Sequence, residues 1–98
     1  MSQIDRKARQ TLSKHGFTKK NGQYKHTLGH GIGLEIHEKP SIGTDSNEKI
    51  QNNMVFTIEP AVYLEGKFGI RIEDTVMVKN GEVEILSKSS KKMNIRNL

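Results

Sequence analysis

The sequence predicts an α+β domain in which an N-terminal helix lies on the outside of an antiparallel sheet. Two patterns carry that prediction. Apolar residues recur every fourth position near the start, and segments rich in β-branched residues follow from residue 54, the last strand pair being closed by Asn80-Gly81. A chain of 98 residues holds at most one small domain. Its apolar share is 33%, and adding the nine glycines still leaves it below the roughly 45–50% of a typical globular domain. Residues 1–98 are therefore expected to form one domain with some of its apolar material missing.

Ile4, Ala8 and Leu12 lie on one side of a helix predicted over 3–15. Ser2 and Asp5 have capping-box spacing, and Gly16 stands where the helix would stop. The stretch 16–25 is polar and contains Asn21-Gly22, a turn signal. From Lys25 to Ile36 the even positions read His, Leu, His, Ile, Leu, Ile, while Gly29, Gly31 and Gly33 fall on odd ones. That is strand periodicity with one bare face, where another backbone or a ligand can approach closely. Residues 39–53 are polar, contain Pro and Gly, and predict the longest loop. "MVFTIEPAVY" (54–63) and "FGIRIEDTVMV" (68–78) predict two strands, and Asn80-Gly81 before "EVEIL" predicts a tight hairpin. The basic tail, 87–98, is expected to be weakly ordered at its end.

Composition narrows the function classes. Cysteine is absent, and no apolar run resembles a signal segment or a membrane span, so a cytoplasmic protein without a membrane partner is expected. Lys and Arg total 16 against 11 Asp and Glu, but they are scattered, and few aromatics are available for stacking. Nucleic acid is not an expected partner.

"HTLGHGIGLEIHE" (26–38) concentrates three of the four histidines. Its strictly alternating glycines do not fit a phosphate loop, and "HEKPS" is not a helical zinc motif, because Pro40 ends any helix. A metal site built on strands remains. His26 and His30 fall on one face, and Glu59 and Glu73 lie within apolar strands, where an ionised carboxylate is costly unless it is paired or bound to a cation. Taken singly, each could be salt-bridged, with Arg71 an obvious partner for Glu73. Together they form an O/N donor set suited to Mn, Co, Zn or Fe.

"GHGIGLEIHE", "MVFTIEPAVY" and "GIRIEDTVMV" resemble, in content, order and spacing, three consecutive motifs of the pita-bread metallopeptidases, the family of Xaa-Pro dipeptidases (prolidases), Xaa-Pro aminopeptidases and methionine aminopeptidases. "IDRKARQTL" resembles the helix that precedes them. His26, four residues before His30, and Arg71, two before Glu73, are similar to marks of the Xaa-Pro branch. A methionine aminopeptidase-type chain and a non-catalytic pita-bread module that binds peptides or proteins are the alternatives.

The resemblance implies His30, Glu59 and Glu73 as metal ligands. It implies Glu59, His37 and His26 as catalytic groups, with His26, His37 and Arg71 facing the substrate and Arg71 also orienting Glu73. The implied reaction is hydrolysis of the bond before proline, in an Xaa-Pro dipeptide or a proline-containing peptide, by water activated between two divalent ions, most often Mn or Co. The family's site also needs two strand aspartates upstream, and Asp5, Asp45 and Asp74 do not supply them. The expectation is thus the C-terminal half of a pita-bread fold, inactive alone and holding at most one weakly bound ion. It would self-associate or pair with a complementary N-terminal half. Asn53 stands where the family usually has glycine, and asparagine tolerates the same left-handed backbone.

Overall fold

A computed structural model of the chain describes residues 1–18, 23 and 26–96. The turn expected at Asn21-Gly22 lies outside the described residues. Helix α1 spans Ser2–Lys14. Its end follows the chemistry of Gly16, whose φ of 88° only glycine adopts at little cost: Phe17 N–H donates to Leu12 O and Gly16 N–H to Ser13 O, both at 3.0 Å. Its start differs from the expectation. Met1 is the N-cap, no side chain caps the helix, and Asp5 is turned inward. Asp5 finds charged and hydroxyl donors in the interior, described below, and these outcompete a solvent-facing cap.

The strands are β1 (Gly29–Gly31), β2 (Glu38–Ile42), β3 (Val55–Ile58), β4 (Ala61–Leu64), β5 (Phe68–Arg71), β6 (Asp74–Lys79) and β7 (Glu82–Ile85). Five form one sheet in the order β2-β1-β3-β6-β7, and β4 with β5 forms a separate ribbon. The pairings among the described strands are antiparallel. Two strand boundaries correct the sequence reading. The strand expected over 25–36 is confined to β1, because the chain bends through 33–37 and leaves Leu34 and Ile36 with no sheet to pack on, at 104% and 83% exposure. The loop expected over 39–53 instead begins inside β2. Pro40 is tolerated there because β2 is an edge strand, where a missing N–H breaks no ladder, and Ile42 is driven into the core.

The predicted strands 54–63 and 68–78 are each interrupted, at Glu59-Pro60 and at Ile72-Glu73. The pairing nevertheless keeps one register from Val55↔Met77 through Ile58↔Asp74 and Ala61↔Arg71 to Leu64↔Phe68. Asn80 and Gly81, with φ of 52° and 76°, make the tight β6–β7 turn as predicted. Asn53, at φ 70°, takes the left-handed backbone expected of it. Met1, Leu28, Ile42, Phe56, Val76 and Val78 form the core between α1 and the sheet, with Ile4, Ala8, Met54 and Ile58 packed against it. Beyond β7 the described residues carry no regular element, but Thr75 N–H donates to Ser87 Oγ at 2.7 Å and Lys91 pairs with Asp74 at 3.0 Å. Among the described residues no helix is long and apolar enough to cross a membrane.

Candidate metal and substrate site

The bare face of the glycine stretch has a physical cause. A Cβ on Gly29 would collide with the Thr57 carbonyl, and one on Gly31 with the backbone at Lys39-Pro40. The neighbouring chains therefore close on β1 from both sides, and His30 is held between them. Its backbone N–H donates to Thr57 Oγ1 at 3.1 Å, and Glu59 N–H donates to Leu28 O at 2.7 Å, which carries the β1–β3 alignment as far as Glu59. Thr57 is 3% exposed, so its hydroxyl takes the place of a ladder bond inside the sheet.

The His30 ring is oriented by its own neighbour. Nδ1 lies 2.9 Å from Gly31 O, an acceptor, so in the neutral ring Nδ1 carries the hydrogen and Nε2 the lone pair. Nε2 faces Glu59 Oε2 at 3.5 Å, and both side chains are mostly buried, at 19% and 13% exposure. Two lone-pair groups thus confront each other across a gap that a proton or a cation would close. Anchoring one ring nitrogen on a carbonyl while the other stays open is the arrangement typical of a metal-binding histidine. The His37 ring stands edge-on to His30, with centroids 4.6 Å apart and planes at 73°.

Glu59 and Glu73 occupy the two interruptions, and the continuous register sets them opposite each other. Like charges at facing positions repel. Glu73 is exposed, and among the described residues no three His, Cys, Asp or Glu side chains converge as a metal-holding group. The donor types and backbone positions suit a hard or borderline divalent ion. His30 and Glu59 are already adjacent, and Glu73 stands across from Glu59 without joining them.

His26 and Arg71 form a second cluster. Arg71 Nη2 donates to Tyr63 Oη at 2.9 Å and to His26 Nε2 at 3.3 Å, and the His26 ring meets Tyr63 edge-on at 5.8 Å. His26 Nδ1 lies 2.7 Å from Thr27 O and so carries the hydrogen, which makes Nε2 an acceptor for Arg71. Two expectations change. Among the described residues no ion pair joins Arg71 to Glu73, since the guanidinium is directed at His26 and Tyr63 instead. His26, implied to face the substrate, presents Nε2 as an acceptor held by Arg71, and it could donate from that nitrogen only after Arg71 leaves and the ring changes tautomer or gains a proton. His26 also sits before β1 rather than on a shared strand face with His30.

Tyr63 and Thr57 are site residues that the sequence reading passed over. Alternation gave a signal for both. Tyr63 is out of phase with Val62 and Leu64, and Thr57 is the one hydroxyl in "VFTI". The ribbon is two-faced as a result. Tyr63 and Arg71 look toward His26, while the paired Val62↔Ile70 and Leu64↔Phe68 line, with Leu12 and Phe17, an apolar groove of about 380 Å³ on the other side.

Comparison with known proteins shows the family of the chain. Residues 1–80 match metallopeptidase family M24. An uncharacterised peptidase of Methanocaldococcus jannaschii is 48% identical over 68 residues, covering 65% of this chain and 20% of its own length. The Xaa-Pro dipeptidase of Pyrococcus furiosus is 36% identical over 91 residues, covering 93% of this chain and 25% of its own. Among solved structures, the X-Pro aminopeptidase from Thermotoga maritima superposes with a TM-score of 0.85 at 43% identity, over 93% of this chain and 25% of that one. The prolidase from Pyrococcus furiosus gives 0.84 at 37% identity, over 92% and 26%. The chain spans about a fifth to a quarter of the length of these relatives. It belongs to metallopeptidase family M24, and its helix and sheet correspond to the C-terminal part of that family's pita-bread catalytic domain.

Proposed function

We propose that these residues form the C-terminal part of an active site that hydrolyses the bond before proline in Xaa-Pro dipeptides. His30, Glu59 and Glu73 would hold divalent ions, Mn or Co by resemblance to the family and within the range the donors suit, with two aspartates supplied from outside these 98 residues. The observation that carries the reading is the His30–Glu59 pair. A ring nitrogen anchored on Gly31 O leaves its opposite lone pair aimed at a carboxylate 3.5 Å away. When bound, such ions supply an acidified water and a polarised carbonyl.

The chain's own residues do the rest. Glu59, with one oxygen beside His30, would hold a proton and pass it to the leaving amine. His37, edge-on to His30, would donate to the substrate carbonyl as charge develops there. Arg71, Tyr63 and His26 bound the substrate side of the ribbon. The apolar groove behind that ribbon supports pairing with the remaining part of the catalytic domain, because Phe68, Ile70 and Ile72 are 58%, 44% and 47% exposed without it.

The test is reconstitution. The chain is mixed with a polypeptide carrying the rest of the catalytic domain from the Thermotoga maritima relative, and Mn-dependent cleavage of an Xaa-Pro dipeptide is followed. Turnover in the mixture and not in either part is expected. A stable complex that binds the dipeptide and does not cleave it would favour the peptide-binding alternative.

A further inference from the structure

Asp5 is the anomalous residue of α1. It points inward beside Ile4 and Ala8 and is 0% exposed. A buried carboxylate is costly unless it is paired and hydrogen-bonded, and a well-packed apolar residue often serves stability as well. Here Arg9 Nε donates to Oδ2 at 2.6 Å, Arg9 Nη2 to Oδ1 at 3.3 Å and Thr44 Oγ1 to Oδ2 at 3.0 Å. The pair ties the helix to the segment after β2, and the rest of the guanidinium indicates its use. Nη2 has two hydrogens, and the side-on pair with Asp5 uses one. The same nitrogen also reaches the backbone oxygen of His26 at 3.4 Å.

We propose that Arg9, locked by Asp5, is a positioning residue that fixes the backbone at His26 and, through it, the ring engaged by Arg71 and Tyr63. His26 lies outside the strands, since β1 begins at Gly29, and the Arg9 contact is made to its carbonyl. Its ring follows the local backbone because Nδ1 donates to Thr27 O, the next carbonyl along. Turning the peptide that Arg9 holds therefore turns the imidazole. Arginine suits the task and lysine does not, since a lysine ammonium ends one bond short of the Nη2 position that reaches the His26 carbonyl while Nε holds the carboxylate.

This deepens the proposed function and rests on it for the substrate role of His26, but the positioning itself is read without turnover. The ring resonances of the histidines are followed by NMR in the parent chain, Arg9→Lys and Thr44→Val. Arg9→Lys keeps the charge beside Asp5 and loses the second arm. The expected result is a displaced His26 signal, with His30 and His37 unmoved. Thr44→Val removes a hydrogen bond from Asp5 and leaves the arm in place, so His26 stays put. Arg9→Gln, which keeps the stem, repeats the test if the lysine variant does not fold. An unmoved His26 in the arginine variants, or all histidines moving alike in every variant, overturns the proposal. In the reconstituted enzyme, Arg9→Lys is expected to raise KM about tenfold with little change in kcat. Absence of turnover would defeat the proposed reaction and leave the NMR result standing.

Discussion

His30 presents its Nε2 lone pair to Glu59 Oε2 across 3.5 Å while its Nδ1 is tied to Gly31 O. Neither group gains from the other without something positive between them. Mn titration of the chain, followed by calorimetry, should therefore show weak binding that His30→Ala and Glu59→Gln each reduce at least tenfold. Glu73→Gln should change it little in the chain alone, because Glu73 does not converge with the pair, and substantially once the complement is present. Equal losses for all three variants in the isolated chain would contradict the arrangement.

Thr57 joins stability to the site. Its hydroxyl accepts from His30 N–H at 3.1 Å and lies 3.5 Å from His30 O, at 3% exposure. Thr57→Val keeps the shape and strands a buried N–H, a loss of about 1–3 kcal/mol in urea unfolding. Thr57→Ser keeps the hydroxyl and should recover most of it. Because the bond it replaces also aligns His30, the valine variant should bind Mn more weakly than its lost stability alone explains.

Local chemistry made some of this legible in the sequence. Gly16 and Asn80-Gly81 stop or turn the chain wherever it folds, so their roles survive any tertiary context. Pro60 is a legible mark of the first interruption, since it offers no N–H to a ladder, whereas Ile72-Glu73 carries no such mark and only the register reveals that the glutamates face each other. Ile32, Leu34 and Ile36 misled because alternation shows that a face is apolar without showing that this chain covers it. Asp5 misled for the opposite reason. Capping-box spacing is a local rule, and Arg9 with Thr44, distant in sequence, overrode it.

Gly29 should not tolerate a side chain. A methyl there meets the carbonyl of Thr57, a backbone atom within the sheet that cannot rotate away. Gly29→Ala should lower stability by at least about 1–3 kcal/mol, as overpacking does, and should weaken Mn binding by separating β1 from β3. Gly66→Ala is a useful contrast. It meets no neighbour, and its cost should come only from its φ of 71°, so it should lower the melting temperature and leave Mn affinity intact.

The two faces of the β4–β5 ribbon should separate association from catalysis. Phe68 and Ile70 are 58% and 44% exposed, so each is about half covered within the chain, and Phe68→Ser with Ile70→Ser should cost its stability about 1.5–3 kcal/mol. If the rest of the domain covers that face, finishing the burial of two such side chains is worth about 1.5 kcal/mol or more. The double variant should then bind the complement at least about tenfold more weakly by sedimentation. Tyr63→Phe, on the opposite face, removes the hydroxyl that accepts from Arg71 at 2.9 Å and leaves the groove untouched. It should assemble normally and lower turnover. If the serine variant assembles as well as the parent, the apolar groove is not where the complement sits, and the covering of this ribbon would have to be sought elsewhere.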